Sequence, residues 1–117
     1  MKISEVQAIL KADMLCGESH LDRVIVGGGA ADLMEDVLAA AAKGSILLTG
    51  VTTDHVIRTA TIVGLGGIVI VRGKVPPPEF SDMAKSFDIP LMVTRYSLFV
   101  ACGRLYMNGI RGLDGSW

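Results

Sequence analysis

The chain has 117 residues, with 11 Lys and Arg against 12 Asp and Glu, and half of its residues are hydrophobic. This length favours one domain, and the balanced charge lacks the basic excess that is typical of nucleic-acid binding. The longest apolar run, residues 62–71, is too short to cross a membrane. We therefore expect a cytoplasmic protein, and its high hydrophobic fraction predicts an apolar surface that is used for self-association.

The first part of the chain predicts one helix and two short strands. Residues 3–10 place apolar side chains at helical spacing, and Ser4 is a candidate N-cap. The segment "DML" at 13–15 predicts a short strand, and residues 23–26 predict a second one.

From residue 33 onward, amphipathic helices alternate with short apolar runs. Helical spacing covers residues 33–41, 56–64, 80–87 and 98–105, and the runs cover 45–50, 67–71 and 91–93. Runs such as "IVIV" do not alternate with polar residues, which is typical of parallel strands buried on both faces. The sequence therefore predicts a single layered α/β domain over residues 1–110, with a mostly parallel central sheet flanked by helices. An irregular C-terminal tail, 111–117, follows.

Three consecutive glycines, Gly27, Gly28 and Gly29, lie between the predicted strand at 23–26 and the next predicted helix. A strand-to-helix turn or close packing of the backbone explains them, and the alternative is an anion site at a helix N-terminus. Asp32 stands where a dinucleotide-binding fingerprint requires its third glycine. The pattern favours the turn or close packing and leaves the anion site open.

The loop "TGVTTDHVIR" at 49–58 is the second candidate site. Thr52, Thr53 or Asp54 can cap the following helix, and Asp54 and Arg58 are spaced for an ion pair. The same Thr52 and Thr53 hydroxyls, with His55 and Arg58, can instead line a pocket for a polar ligand. Both interpretations are kept.

Reactive side chains are sparse. His20 and His55 are not at metal-ligand spacing from a cysteine or from each other, so we expect no metal site and no cofactor. Cys16 with His20 is conceivable as a nucleophile pair, although a bystander thiol is favoured. Cys102 falls on an apolar helical stripe, which is typical of a core residue. We predict no catalytic residue.

Several ordered pieces of the chain together carry a family resemblance. They are Leu21-Asp22-Arg23 leading to Gly27-Gly28, Asp32-Leu33-Met34, Asp36-Val37-Leu38, Lys43-Gly44-Ser45, the threonines at 52–53, Gly67-Ile68, Ile70, Ile89-Pro90-Leu91 and Ala101 with Gly103-Arg104. In this order they resemble the DRTGG domain family over nearly the whole chain, to about residue 110.

The resemblance implies an α/β fold like the N-terminal domain of HPr kinase, which is also similar to the N-terminal domains of Mur ligases. In larger proteins such domains accompany CBS modules, phosphotransacetylases and family II pyrophosphatases, where they are taken to be regulatory and to help dimerisation. Stand-alone members are associated with hydrogenase-type redox proteins.

We therefore expect a non-catalytic regulatory or adaptor domain that forms a homodimer and senses a small anionic ligand, such as a nucleotide or a phosphorylated metabolite. One alternative is an accessory subunit that docks on a larger redox enzyme of the hydrogenase type. Another is a small enzyme that uses His55 with Thr52, Thr53 or Cys16, which requires these groups to converge in one pocket.

Overall fold

The computed structural model describes residues 1–112, which contain five α-helices and five strands. In chain order they are α1 Ile3–Leu10, β1 Asp13–Cys16, β2 Gly28–Ala30, α2 Met34–Ala40, β3 Ile46–Thr49, α3 Asp54–Val63, β4 Gly67–Ile70, α4 Pro78–Ser86, β5 Leu91–Val93 and α5 Leu98–Met107. Apolar spacing predicts every helix to within two residues at each end. Lys43 and Gly44, which are typical of a helix end, lie beyond α2, since this helix already ends at Ala40. Most of the predicted tail, residues 113–117, lies outside the described residues.

The five strands form one sheet in the order β1-β5-β4-β3-β2. Strands β2, β3, β4 and β5 are parallel, and β1 lies antiparallel to β5 at one end. Helices α2, α3 and α4 each connect two neighbouring parallel strands, as parallel pairing requires. The last residues of β2–β5 therefore lie at one edge of the sheet, which we call the carboxyl edge, and we call the opposite edge the amino edge.

Helices cover both faces of the sheet, which explains the apolar runs without alternation. One core cluster joins α2, α3 and α4 to one face through residues that include Val37, Leu47, Ile57, Ile68, Ile70 and Phe80. The other joins α1 and α5 to the opposite face through residues that include Val6, Leu10, Ile46, Leu48, Val69, Met92 and Leu105. All residues of β3 and β4 are buried. The predicted single α/β domain with a mostly parallel sheet is confirmed.

The strand predicted at 23–26 is wrong. Val24 makes only an isolated bridge to Lys2, and the strand that pairs with β3 is Gly28–Ala30. The run of β-branched residues Val24–Val26 suggests a strand, but only Ile25 is buried, while Val24 and Val26 are more than half exposed. The ladder starts at Gly28, where a Cβ atom would come within 2.8 Å of Ile110 Cγ2.

Helix starts follow the capping rules only in part: α2 begins after Leu33 and α3 after Thr53, and neither residue makes a side-chain cap hydrogen bond. Ser97 is confirmed as the N-cap of α5, where its hydroxyl accepts a hydrogen bond from the Val100 N–H at 3.2 Å. Ser4 is not a cap, because α1 begins earlier with Lys2 as its N-cap. The Glu5 carboxylate accepts the Lys2 N–H at 2.9 Å and satisfies that end of the helix.

Candidate functional site

Four loops meet at the carboxyl edge, where they connect the parallel strands to the following helices. They cover residues 31–33, 50–53, 71–77 and 94–97. Ligands of open α/β sheets bind at this edge, because helix N-termini there offer unpaired N–H groups and a partial positive charge. The loop at 49–54, which the sequence singles out, belongs to this edge.

The Asp32 carboxylate joins the loop after β2 to the end of β3. Its Oδ1 accepts hydrogen bonds from the Gly50 N–H at 2.8 Å and from the Thr49 hydroxyl at 3.0 Å. The Gly50 N–H does most to lower the pKa of Asp32. Burial raises this pKa, and the Thr49 hydroxyl, Lys74 and Arg72 each lower it by a smaller amount than burial raises it. Asp32 is therefore ionised at neutral pH, and the positions of both loops are fixed relative to each other.

A tight turn at residues 71–74 follows β4. Arg72 and Gly73 both have positive φ angles, 62° and 66°, and the Lys74 N–H closes the turn on the Val71 carbonyl at 3.4 Å. The Arg72 N–H donates to the Tyr96 carbonyl at 2.8 Å, which ties the turn to the loop after β5. A non-glycine residue with a positive φ is strained, and such strain is concentrated at functional sites.

The turn brings cationic side chains to the loop after β3. The Lys74 Nζ donates to the Gly50 carbonyl at 2.8 Å. A Cβ atom on Gly50 would lie 3.4 Å from an Nη of Arg72 and 3.7 Å from both carboxylate oxygens of Asp32. Arg72 and Asp32 therefore converge over Gly50, where a larger residue would displace them.

A third cation, Arg95, comes from the loop after β5. Its Cγ lies 3.8 Å from the position of a Cβ on Gly73, so it packs beside the turn. Within residues 1–112, none of Arg72, Lys74 and Arg95 forms an ion pair with a carboxylate. We call these three residues the basic cluster, and its charge favours an anion at this edge.

The predicted residues of the 49–58 loop divide into two groups. Thr52 and Thr53 lie in the carboxyl edge, and Thr53 is the N-cap residue of α3, without a side-chain hydrogen bond to the helix. His55 and Arg58 lie on the exposed side of α3. The Arg58 guanidinium is paired with Asp54 at 2.6 Å, as the spacing predicts, and this pairing keeps it on its own helix.

The three glycines do not form the turn between a strand and a helix, but close packing is confirmed at Gly28, where a Cβ atom would lie 2.8 Å from Ile110 Cγ2. Gly28 and Gly29 belong to β2, an edge strand, and the loop into α2 begins only after Ala30. The Gly28 N–H donates to the Arg111 carbonyl at 3.0 Å, whereas Gly29 has open space around its Cβ position. Gly27 lies before the strand and is buried. Whether the three bind a ligand stays a prediction, and the carboxyl edge lies beyond them along the strand.

Cys16 and His20 lie at the other end of the sheet. Cys16 pairs with Leu91, the first residue of β5, and therefore lies at the amino edge. Its Sγ donates to the Ile89 carbonyl at 3.3 Å, and burial raises the pKa of its thiol. The His20 Nε2 lies 3.0 Å from Asp88. A site that combines Cys16 with Thr52 or Thr53 is excluded, because the two lie at opposite edges.

Neither a metal centre nor a membrane segment is seen in the described part of the chain. Among residues 1–112, no three His, Cys, Asp or Glu side chains are grouped so that they could hold a metal ion. The helices described above are all too short or too polar to span a membrane. Cys102 is half-buried on α5, where burial raises the pKa of its thiol.

The sequence interpretation missed Asp32 as a structural residue and the basic cluster as a whole. A signal for the cluster is present, because "RGK" begins one residue after the buried strand β4 and "TRY" directly follows β5. The ends of neighbouring parallel strands lie close together, and so do the loops that carry these cations. What the sequence does not reveal is the backbone hydrogen bonding between the two loops, which depends on the strand order.

No protein-family model matches this chain, and no curated protein matches it by sequence. The structure is similar to that of the CBS and DRTGG domains of the regulatory region of Clostridium perfringens pyrophosphatase, complexed with the activator diadenosine tetraphosphate. The TM-score is 0.75 at 16% sequence identity, over 97% of this chain and 48% of that one. The chain thus spans about half the length of that structure, and its fold is DRTGG-like, as the resemblance implies.

Proposed function

We propose that this protein is a non-catalytic regulatory module that forms a homodimer and binds a small anionic ligand at the carboxyl edge. The ligand class is a nucleotide or a phosphorylated metabolite. The observation that carries the proposal is the basic cluster of Arg72, Lys74 and Arg95, which two neighbouring loops bring together at the edge where α/β sheets bind ligands.

The fold comparison supports a regulatory role. The similar structure belongs to a regulatory region that is complexed with a nucleotide activator. At 16% identity this likeness concerns the fold alone, so the ligand of this chain is argued from its own residues.

The chemistry of the carboxyl edge suits a phosphate group that carries a hydroxylated part. Guanidinium groups such as those of Arg72 and Arg95 give charge-assisted, often paired, hydrogen bonds to phosphate oxygens. The N-terminus of α3, with Thr52 and Thr53 before it, adds backbone donors. The hydrogen bonds described above for Asp32 both go to Oδ1, so Oδ2 can accept from a ligand hydroxyl. A ribose hydroxyl fits this role, which favours a nucleotide over inorganic phosphate.

Thermal unfolding and calorimetry with a ligand panel test the proposal. The panel contains ATP, diadenosine tetraphosphate, acetyl phosphate and inorganic phosphate. A ligand present at a hundred times its dissociation constant stabilises the fold by about 2.7 kcal/mol. We expect nucleotides to do this and inorganic phosphate to act weakly or not at all.

The Arg95→Ala variant tests whether ligand binding depends on the basic cluster. Within the described residues no hydrogen bond or ion pair holds the Arg95 head group, so the variant keeps its fold and loses affinity for the anion. Lys85→Ala is the matched control, because Lys85 is exposed near the amino edge beside Cys16 and Asp88. Equal affinity of both variants, or no stabilisation by any member of the panel, would contradict the proposal.

A further inference from the structure

The outward side of α5 carries an exposed apolar face. Phe99 and Met107 are 87% and 86% exposed, and Val100 is 41% exposed. The opposite side of the helix, with Ala101 and Leu105, is buried against the sheet. We call Phe99, Val100, Gly103 and Met107 the α5 face.

Gly103 lies at the centre of this face. Phe99 precedes it and Met107 follows it by four residues each, so the three lie along one line of the helix. Nothing lies within 4 Å of the Cβ position of Gly103. Its φ angle is not positive, so this backbone does not require glycine, although glycine in a helix interior destabilises the helix relative to alanine. The glycine instead leaves a gap between two large exposed side chains.

We propose that the α5 face binds the α5 face of a second copy, with the two helices antiparallel and crossing at Gly103. The inference rests on the homodimer of the proposed function and names its surface. In this arrangement Phe99 contacts Met107 of the partner subunit, and the reverse contact is identical. A twofold axis requires such self-complementarity, and the spacing of the apolar residues around Gly103 provides it.

The charges around the α5 face are compatible with a second copy. Residues 89–112 contain no Asp or Glu, so α5 and the segments next to it in sequence bring no carboxylate to the contact. The Arg104 guanidinium lies over the ring of Tyr96 at 4.4 Å, which keeps it on its own chain at the rim. Both features avoid unpaired charge in the centre of the interface.

The α5 face is small for a dimer interface. From their exposed fractions, Phe99, Val100 and Met107 present on the order of 400 Å² of apolar surface per chain. With the polar rim, two copies bury roughly 1,000 Å² in total, which is the lower end for specific interfaces and corresponds to a weak, reversible dimer. Two glycines at the crossing allow the close approach that this small area needs.

Sedimentation velocity over a concentration series tests the face with matched variants. Gly103→Gln fills the gap and weakens the dimer by at least roughly tenfold in dissociation constant, or about 1.4 kcal/mol. The same variant raises the melting temperature of the monomer, because it replaces a mid-helix glycine in open space. Ile62→Gln on α3, where Ile62 is 74% exposed, is the control and leaves the dimer unchanged.

Disulfide cross-linking tests the antiparallel pairing. In a Cys102→Ser background, chains with Phe99→Cys are mixed with chains with Met107→Cys under mild oxidation. We expect cross-linked heterodimers from the mixture and almost none from either variant alone, because antiparallel helices separate the two copies of each position. Cross-linking of Phe99→Cys with itself would overturn the arrangement.

The outcomes separate this inference from the proposed function. A dimer that Gly103→Gln does not weaken refutes the α5 face and leaves the homodimer standing. A monomer at every concentration refutes both the face and the homodimer, while ligand binding is decided independently by the calorimetric panel. A monomer that captures a different protein through Phe99 likewise refutes the second copy as the occupant.

Discussion

The Thr49 hydroxyl is the group whose removal tests most directly how the carboxyl edge is built. Thr49 is the last residue of β3 and has no exposed surface. Its hydroxyl donates to Asp32 at 3.0 Å and accepts from the Val51 N–H at 3.2 Å. Thr49→Val keeps the shape of the side chain and removes both hydrogen bonds, so packing contributes little to the result.

The expected cost follows from these two bonds. A hydrogen bond to a charged group contributes about 1.5–3 kcal/mol, and the low end applies because Asp32 is solvent-exposed. The half-buried Val51 N–H loses its acceptor, which adds a smaller penalty that water partly offsets. We expect a loss of about 2 kcal/mol in the free energy of unfolding, or a fall of about 8 °C in melting temperature for a domain of this size.

Urea unfolding of a double-mutant cycle is the assay. Asp32→Ala removes the partner of the same bond, so the double variant with Thr49→Val loses less than the sum of the two single variants, by at least about 0.5 kcal/mol. Thr61→Val is the control, because among the described residues the hydroxyl of the exposed residue Thr61 bonds the Ile57 carbonyl of its own helix alone, and its loss costs less than about 0.5 kcal/mol. Additive effects, or equal costs at Thr49 and Thr61, would refute the account of the Asp32 network.

Three further predictions concern single residues. The folded state lowers the pKa of Asp32, so the stability that this carboxylate contributes is present at neutral pH and is lost as pH falls through its folded pKa. The difference in unfolding free energy between wild type and Asp32→Asn therefore shrinks in acid. A difference that stays constant with pH in urea titrations would count against this prediction. Gly28→Ala places a methyl group 2.8 Å from Ile110 Cγ2 and lowers the free energy of unfolding by about 1–3 kcal/mol. Gly29→Ala places its methyl group in open space and costs less than about 0.5 kcal/mol. Calorimetric melting ranks the two variants, and the reverse order would refute the packing role of Gly28. Ser97→Ala removes the cap of α5 and costs about 1 kcal/mol by chemical denaturation, and no loss would show that the cap is not needed.

The fold was predictable where burial and chain periodicity agree. Runs such as residues 68–71 are typical of strands that are buried on both faces of a layered sheet, and the helices after them keep one apolar stripe each. Strand β2 was not predictable in the same way. The residues Gly28 and Gly29 have low strand propensity, and the ladder uses them because Ile110 packs where a side chain at 28 would be.

The candidate site was predictable only in part, since it is assembled from separate loops. Thr52 and Thr53 are recognisable because they precede a helix, which is a local signal. Arg72 and Arg95 are distant in sequence, and only the neighbouring positions of β4 and β5 bring them together. Strand order is a long-range property of the chain, so a reading of local patterns recovers the loops and not their combination.

The loop at 94–97 connects the two surfaces that are proposed to bind, so we predict that ligand binding and dimerisation depend on each other. Within this loop, Arg95 belongs to the basic cluster, and the Tyr96 carbonyl accepts the Arg72 N–H. The next residue, Ser97, caps α5, and the α5 face begins at Phe99. An anion that orders this loop also orders the first turn of α5.

Linkage requires the effect to be reciprocal. A saturating nucleotide therefore lowers the dissociation constant of the dimer. In turn, the dimer binds that nucleotide more tightly than the Gly103→Gln variant does. Sedimentation velocity with and without the nucleotide measures the first effect and calorimetry measures the second. Affinities that do not change in either experiment would show that the loop transmits nothing between the basic cluster and the α5 face.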